Sequence, residues 1–187
     1  VPSALAVGDG RFSGGNGTEN APYEISTAQD LFALAKAVNN GTSYQGEYFR
    51  LKNDIDLKTN ASNPWTPIGK SVGGGGPQFL GSFDGGGYTV SGLYVEGTYG
   101  YAGLFGVVGM LYQTTKAEVK NLRVEGKVFV ERVFYAGGVA GFVGYGAKIT
   151  DCSFQGTVKT TVDNQATAGY TGYTGGIAGY NFGTISE

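Results

Sequence analysis

The sequence predicts an all-β fold, a right-handed parallel β-helix that carries one amphipathic helix near its N-terminus. A short Gly-rich apolar phrase occurs three times, beginning at residues 103, 138 and 176. A bend-forming position also recurs along the chain, and apolar and polar residues alternate beside it. Such repeats are typical of stacked arrays, in which each unit buries its apolar side chains against its neighbours. The glycines that bound the three phrases are Gly103 and Gly106, Gly138 and Gly141, and Gly176 and Gly179.

The bend-forming position emerges when residues 90–97, 119–126 and 149–156 are aligned. It holds Gly92, Asn121 and Asp151, three residue types that tolerate a left-handed backbone. The alternation that follows indicates a strand with one face inward. The alignment predicts a second bend at Gly97, Gly126 and Gly156.

Each copy is expected to hold three short strands: one after the first bend, one around Val128 or Val158, and one formed by the Gly-rich phrase. About four such coils fit in the chain. The main competing fold is a β-propeller, but its blades need four strands and roughly 40 to 50 residues each. A further copy begins at residues 185–187, so we expect the array to continue in a longer protein.

The only predicted helix spans about residues 27–39, after an extended lead-in over residues 1–22. Ser26 or Thr27 can cap it, with Gln29 or Asp30 as the capping-box partner. Its apolar residues form one stripe, which suits it to cover the open end of the array.

The helix opens a single domain predicted over residues 23–187, and the remaining elements read as short strands. An insertion is expected over residues 58–77. Trp65 lies inside it and is expected to be a buried anchor that holds the insertion onto the first coil.

Composition excludes several classes of protein. The formal net charge of −2 does not support a nucleic-acid partner, and no apolar run approaches the ~20 residues of a membrane helix. The chain has no histidine and one cysteine, which excludes an internal disulfide and most zinc sites. We therefore expect no cofactor and no membrane insertion. Cys152 falls in an inward column and is predicted to be a small core residue.

The three Gly-rich phrases, within residues 102–106, 136–141 and 174–179, resemble the GLUG motif of bacterial surface proteins. Residues 23–31, 83–90 and 149–158 are also similar to that family, so the resemblance covers roughly residues 20–187. It implies a secreted or cell-wall-associated bacterial protein, often large and modular, with a role in adhesion. GLUG repeats also accompany an immunoglobulin-cleaving metalloprotease family, but this chain has no His-Glu-x-x-His zinc motif. The resemblance implies no catalytic residues.

Enzyme activity has to be weighed because parallel β-helices include pectin-cleaving lyases and hydrolases. Their chemistry needs clustered carboxylates. The one close acidic pair is Asp54 and Asp56, which could ligate a hard cation from the outer face of a strand. A solvated strand edge with an Asx turn explains the pair equally simply, and we favour it. We expect neither a metal site nor catalysis.

The thirteen tyrosines give the better functional lead. Aromatic rings that carry hydroxyl groups suit stacking on sugars or contact with a protein partner. The alternative is a ladder of tyrosines along one face that contributes only packing. The candidates for ligand binding are Tyr94, Tyr99, Tyr101, Tyr170 and Tyr173.

The residues and the resemblance together predict an extracellular adhesion or interaction module at the cell surface or cell wall. It would bind a host or matrix glycan or protein, as a monomeric part of a larger multidomain protein. Two alternatives remain open: a carbohydrate-active lyase or hydrolase, and a passive stalk that spaces other domains.

Overall fold

The protein is a parallel β-helix in a computed structural model that describes residues 11–70, 76–131, 134–161 and 172–187. The described residues form one helix and sixteen strands, and all pairs between these strands are parallel. This confirms the predicted fold class. The helix α1 is Ala28–Asn39, and the strands are β1 Tyr23–Ile25, β2 Tyr48–Leu51, β3 Ile55–Asp56, β4 Ser82–Asp84, β5 Thr89–Thr98, β6 Tyr101–Ala102, β7 Phe105–Val108, β8 Glu118–Lys120, β9 Arg123–Glu131, β10 Tyr135–Gly137, β11 Ala140–Val143, β12 Lys148–Thr150, β13 Ser153–Thr161, β14 Tyr173–Gly175, β15 Ala178–Asn181 and β16 Thr184–Ser186.

The strands stack into four sheets, in which each strand pairs with its counterpart in the next coil. The largest sheet has the order β1-β2-β4-β8-β12-β16, and a second has the order β13-β9-β5-β3. Two three-stranded sheets, β14-β10-β6 and β15-β11-β7, complete the coils. The apolar core runs through the stack between these sheets.

A complete coil contains four strands, so the expectation of three was wrong. The segment after the bend and the segment around Val128 are parts of one strand, β9, which passes through Gly126. A separate short strand, β8, precedes the bend. The expectation failed because Gly126 and Gly156 have positive φ yet keep the ladder intact, pairing with each other in register.

The Gly-rich phrase is a corner between two strands. In its second copy, β10 ends at Gly137 and β11 begins at Ala140. Ala140 pairs with Phe105 in the coil before and with Ala178 in the coil after, so the three phrases stack in register. The backbones meet closely here: a Cβ at Gly103 would lie 2.7 Å from the carbonyl oxygen of Gly137. Glycine is needed because the two small sheets approach each other through their main chains.

Asn121 and Asp151 occupy equivalent bends and have φ values of 51° and 50°. Their N–H groups donate to Thr150 and Ser186 of the following coil, at 3.0 Å each. Gly92 does not belong to this column, although its φ of 65° is also left-handed.

The alignment that placed Gly92 beside Asn121 was wrong by several residues. Phe83 pairs with Val119, so the counterpart of the Asn121 bend is the turn at residues 85–87. Gly92 instead lies in a register shift of β5 between Val90 and Leu93, where an extra residue needs an unusual backbone conformation. Gly97, for the same reason, pairs with Val130 and not with Gly126.

The predicted insertion over residues 58–77 forms the rest of the first coil as far as the structure describes it. Trp65 N donates to Tyr94 O at 2.7 Å, and Ile68 N donates to Leu104 O at 3.0 Å. These bonds place the segment directly below β5 and β7. Trp65 is fully buried and its Nε1 donates to Leu104 O at 3.0 Å, so it is the expected buried anchor.

The helix α1 lies between β1 and β2 in the chain and packs on this first coil. Thr27 is its N-cap and forms a capping box with Asp30, which decides between the two caps and two partners that the sequence allowed. Its apolar face, which includes Leu31, Leu34 and Val38, joins the core. The Asn39 side chain donates to Pro67 O and accepts from the N–H groups of residues 69 and 70, which ties the helix to the coil.

The outer face of the largest sheet carries charges of alternating sign in one register column. The column runs Glu24, Arg50, Asp84, Lys120 across β1, β2, β4 and β8. Arg50 and Asp84 form an ion pair of 3.2 Å. Opposite charges side by side favour this register, because a shifted strand would bring like charges together.

Asp84 is the most connected member of this column. Its carboxylate accepts from Asn121 Nδ2 at 3.0 Å and from the N–H of Gly86 at 2.8 Å. Burial alone would raise the pKa of Asp84, but these hydrogen bonds and the charges of Arg50 and Lys120 hold it below its ordinary value.

Cys152 packs against the core beside Leu122, as its inward column predicted. Burial raises the pKa of its thiol to about 11, although backbone hydrogen bonds at Leu122 and Thr150 oppose the shift. The cysteine is therefore held as a thiol at neutral pH.

Candidate binding surface

Three tyrosines stand in one register column on the outside of the sheet β14-β10-β6. Tyr101 pairs with Tyr135, and Tyr135 pairs with Tyr173. Neighbouring rings are stacked with centroids 5.7 Å apart in both steps, at interplanar angles of 11° and 22°. The geometry follows from the alternation within each strand, since Ala102 and Ala136, the next residues, point inward and are fully buried.

The adjoining sheet β15-β11-β7 places a second set of rings beside this column. Phe142 and Tyr180 pair in register, with rings 6.0 Å apart and only 3° from parallel. Tyr180 lies 4.5 Å from Tyr135, which joins the two columns. Phe182 extends the group by contacting Phe142 at 5.9 Å and Tyr145 at 4.7 Å. We call this continuous group the aromatic surface: Tyr101, Phe134, Tyr135, Phe142, Tyr145, Tyr173, Tyr180 and Phe182.

Exposure rises along the aromatic surface from the middle of the stack towards its last coil. Tyr101 is 7% exposed and Phe142 is 2% exposed, whereas Tyr173 is 52% exposed and Phe182 is 39% exposed. Tyr101 was predicted to bind ligand, but the rings of the neighbouring coil cover it. Its ring packs against the rings of Tyr135 and Phe142 in the following coil.

Two hydroxyls of the aromatic surface are held in the neutral form. Burial raises the pKa of Tyr101 above its ordinary value, and the neighbouring hydroxyls of Tyr135 and Tyr112 raise it further. Burial likewise raises the pKa of Tyr135, together with the neighbouring Tyr180 and Tyr173. A neutral tyrosine hydroxyl can both donate and accept hydrogen bonds. The surface thus offers flat apolar area with polar rims.

The other candidate tyrosines do not join this surface. Tyr94 lies on the sheet β13-β9-β5-β3, where its ring packs edge-on against the Phe129 ring, with centroids 5.9 Å apart and an interplanar angle of 83°. Tyr99 packs partly into the core next to Gly97. Tyr170 lies outside the described residues. Of the five candidates, the structure therefore brings together Tyr101 and Tyr173.

The candidate carboxylates Asp54 and Asp56 act within the fold. Asp54 Oδ1 accepts from Thr89 N at 2.8 Å, and Asp56 Oδ1 accepts from Lys58 N at 2.9 Å in a local turn. In the described part of the chain, no three Cys, Asp or Glu side chains cluster closely enough to hold a metal ion.

Phe134, Phe142 and Phe182 belong to the surface, although reasoning from the sequence pointed only to tyrosines. For Phe142 and Phe182, the available signal was the register of the Gly-rich phrases, since each residue lies at a fixed distance after a phrase. Tyr180 stands at the same distance from Gly176 as Phe142 from Gly138, and this equivalence predicts their stacking.

Comparison with known proteins finds a repeat motif and partial relatives. The family model described as "The GLUG motif" matches residues 133–159. A "Putative Gly-rich membrane protein" of Evansella cellulosilytica is 37% identical over 118 residues, which cover 62% of this chain and 12% of that protein. "Halomucin" of Haloquadratum walsbyi is 31% identical over 122 residues, which cover 60% of this chain and 1% of that protein. The chain thus spans a small part of each relative.

A solved structure also resembles the chain over most of its length. It is described as a "putative immunoglobulin A1 protease" from Bacteroides ovatus, with a TM-score of 0.47 and 18% identity. The similarity covers 98% of this chain and 80% of that one. Among the described residues, no helix has the length and apolar character needed to cross a membrane.

The match over residues 133–159 contains the second Gly-rich phrase and the Asp151 bend, and both have stacked counterparts in neighbouring coils. These findings confirm the resemblance noted in the sequence: residues 133–159 carry a GLUG motif.

Proposed function

We propose that this β-helix is an interaction module of a cell-surface protein and that its aromatic surface contacts a protein partner. The observation that carries the proposal is a continuous stack of aromatic rings on the outside of successive coils, in which Tyr145 and Tyr173 are 41% and 52% exposed. Aromatic side chains are enriched where proteins bind one another, because they bury large area at low entropic cost.

The order of the stack strengthens this proposal. Each of these rings packs against a ring of the preceding coil, as Tyr173 packs against the half-buried Tyr135 and Phe182 against the buried Phe142. A partner would therefore meet side chains already held in position, and binding would cost little further ordering. Tyrosine hydroxyls at the rim of the surface would orient the partner through hydrogen bonds.

A location outside the cell is supported by the relatives. One is described as a Gly-rich membrane protein and the other as a halomucin. We propose that this chain likewise belongs to an extracellular protein attached to the cell surface or cell wall. Adhesion to a host or matrix component is the function that this place and the aromatic surface suggest together.

We propose further that the module acts by binding without catalysis. The carboxylates considered for catalysis, Asp54 and Asp56, each have an oxygen engaged with a backbone N–H group. The neutral aromatic surface offers hydrogen-bonding hydroxyls whose pKa values are raised, which makes them poor general bases at neutral pH.

The proposal is tested with the purified chain, immobilised and exposed to panels of host and matrix proteins and of glycans. Any partner is then measured against Tyr173→Ser, which truncates an exposed ring of the surface. The control is Tyr88→Ser, since Tyr88 is 38% exposed but lies outside the aromatic surface.

A protein partner whose affinity falls at least tenfold with Tyr173→Ser and stays unchanged with Tyr88→Ser would support the proposal. Binding of glycans alone, if Tyr173→Ser weakens it, would replace the protein partner with a carbohydrate at this surface. Failure of every probe to bind the unmodified chain would contradict the proposal and favour a passive spacer.

A further inference from the structure

A second surface, on the outer face of the sheet β13-β9-β5-β3, has chemistry unlike that of the aromatic surface. It contains a cavity of about 460 Å³, within the range of ~300–1,000 Å³ typical of small-ligand sites. We propose that this cavity binds a neutral oligosaccharide. The site is independent of the aromatic surface and goes beyond the function proposed above. The cavity is lined by Glu96, Gly97, Thr98, Phe129, Val130, Glu131, Lys159 and Thr161.

The register of three strands brings the polar groups together. Glu96 of β5, Phe129 of β9 and Lys159 of β13 stand in one row across the sheet. The next outward row holds Thr98, Glu131 and Thr161. Because residues two apart share a face of a sheet, both rows point into the cavity. The cavity is therefore built by strands, which hold side chains more rigidly than loops do.

Phe129 provides an aromatic floor at the centre of the first row. Phe129 is half-buried, and its neighbours in the row are Glu96 on one side and Lys159 on the other. The Tyr94 ring packs edge-on against it, with centroids 5.9 Å apart and an interplanar angle of 83°. Tyr94 and Glu96 lie two residues apart on the same face of β5, beside Phe129. An apolar ring held in place this way suits the C–H face of a sugar.

The charges around Phe129 favour a ligand that is neutral and rich in hydroxyl groups. Glu96 and Glu131 accept hydrogen bonds, Lys159 donates them, and the threonine hydroxyls do both. The charges of Glu96, Glu131 and Lys159 partly cancel and give no strong electrostatic field of either sign. An anionic or strongly cationic ligand would therefore gain little electrostatic binding energy. Sugar hydroxyls both donate and accept, and they match this mixed set.

The experiment measures binding of defined neutral oligosaccharides of glucose, mannose, galactose and N-acetylglucosamine to the whole chain by isothermal titration. Phe129→Leu keeps apolar volume and removes the aromatic face, and Glu131→Gln removes one acceptor charge. The matched control is Glu125→Gln, since Glu125 is an exposed residue of the same strand that does not line the cavity. Circular dichroism checks that each variant remains folded.

The proposal expects one of these oligosaccharides to bind, with affinity at least tenfold weaker for Phe129→Leu and Glu131→Gln and unchanged for Glu125→Gln. It is overturned if none of them binds the unmodified chain, or if Phe129→Leu binds as well as the unmodified chain. Loss of sugar binding in Tyr173→Ser alone would also overturn it, because the sugar would then occupy the aromatic surface. That last result would leave the proposed interaction function standing.

Discussion

Replacing Gly103 with alanine tests whether the Gly-rich phrase exists to let backbones approach closely. A Cβ at this position would lie 2.7 Å, 2.9 Å and 3.2 Å from the carbonyl oxygens of Gly137, Phe105 and Val139. All three are main-chain atoms, which cannot turn aside as the end of a side chain can. The φ of Gly103 is not positive, so the alanine backbone itself is unstrained. Overpacking of this kind costs about 1–3 kcal/mol of unfolding free energy.

Gly176 is a matched control, because it occupies the same position of the phrase one repeat beyond Gly138. No described atom lies within 4 Å of a Cβ built there, and its φ is also not positive. Alanine at this site is expected to stabilise by about 0.4–1 kcal/mol, since it reduces the entropy of the unfolded chain.

Urea denaturation followed by circular dichroism measures both variants. The denaturation midpoint should fall for Gly103→Ala and rise slightly for Gly176→Ala, with unchanged slopes. Equal shifts of the two midpoints would refute the reasoning, because they would show that the phrase is not selected for close backbone contact.

Three further predictions concern the cap, the charge column and the cysteine. Thr27→Ala should lower the unfolding free energy by about 1 kcal/mol through loss of the helix cap. Thr42→Ala, at an exposed position, should change it little. Thermal unfolding compares the two variants, and equal effects would contradict the capping role of Thr27. Because the folded pKa of Asp84 is lowered, its stabilising contribution is present above its unfolded pKa of about 4 and is lost as the pH falls through the folded value. Asp84→Asn should therefore weaken the fall in unfolding free energy at acid pH. An unchanged pH dependence would contradict the stabilising role of the ionised Asp84 carboxylate. Cys152, with a pKa of about 11, should react with iodoacetamide at pH 8 roughly a hundredfold more slowly than a free cysteine and at the ordinary rate in urea; fast labelling of the folded chain would show that the thiol is not held as described.

The Gly-rich phrases and the capped helix could be predicted from the sequence, because in each of them a residue type has a single structural role. The repeated phrases stack in register as their spacing predicted, and at Gly103 the surrounding main chain leaves no room for a side chain. The helix and its Thr27–Asp30 capping box were found for a similar reason, since cap chemistry and apolar spacing agree there.

Reasoning from the sequence failed where different causes produce the same residue type. Gly92 and Asn121 both have left-handed backbones, but Gly92 serves a register shift within a strand and Asn121 serves a bend between strands. Residues 58–77 looked like an insertion because the first coil lacks the repeat pattern, although Trp65 and Ile68 follow its path.

The aromatic surface was only partly visible in the sequence. Counting tyrosines pointed to Tyr101 and Tyr173, but exposure depends on which rings the next coil adds above. Tyr101 is covered by neighbouring rings, while Tyr173 is not, and this difference arises from stacking between coils. The cavity around Phe129 was not anticipated either, since it requires the register of three strands to bring its residues together.

The central claim is that the aromatic surface binds a partner and does more than pack the stack. The decisive measurement is the effect of Tyr173→Ser on two quantities, the affinity for a captured protein partner and the free energy of unfolding. The account predicts at least a tenfold loss of affinity, about 1.4 kcal/mol, with a loss of unfolding free energy below about 1 kcal/mol because the ring is half exposed. Unchanged affinity with a larger loss of stability would contradict it and make the tyrosines a packing ladder.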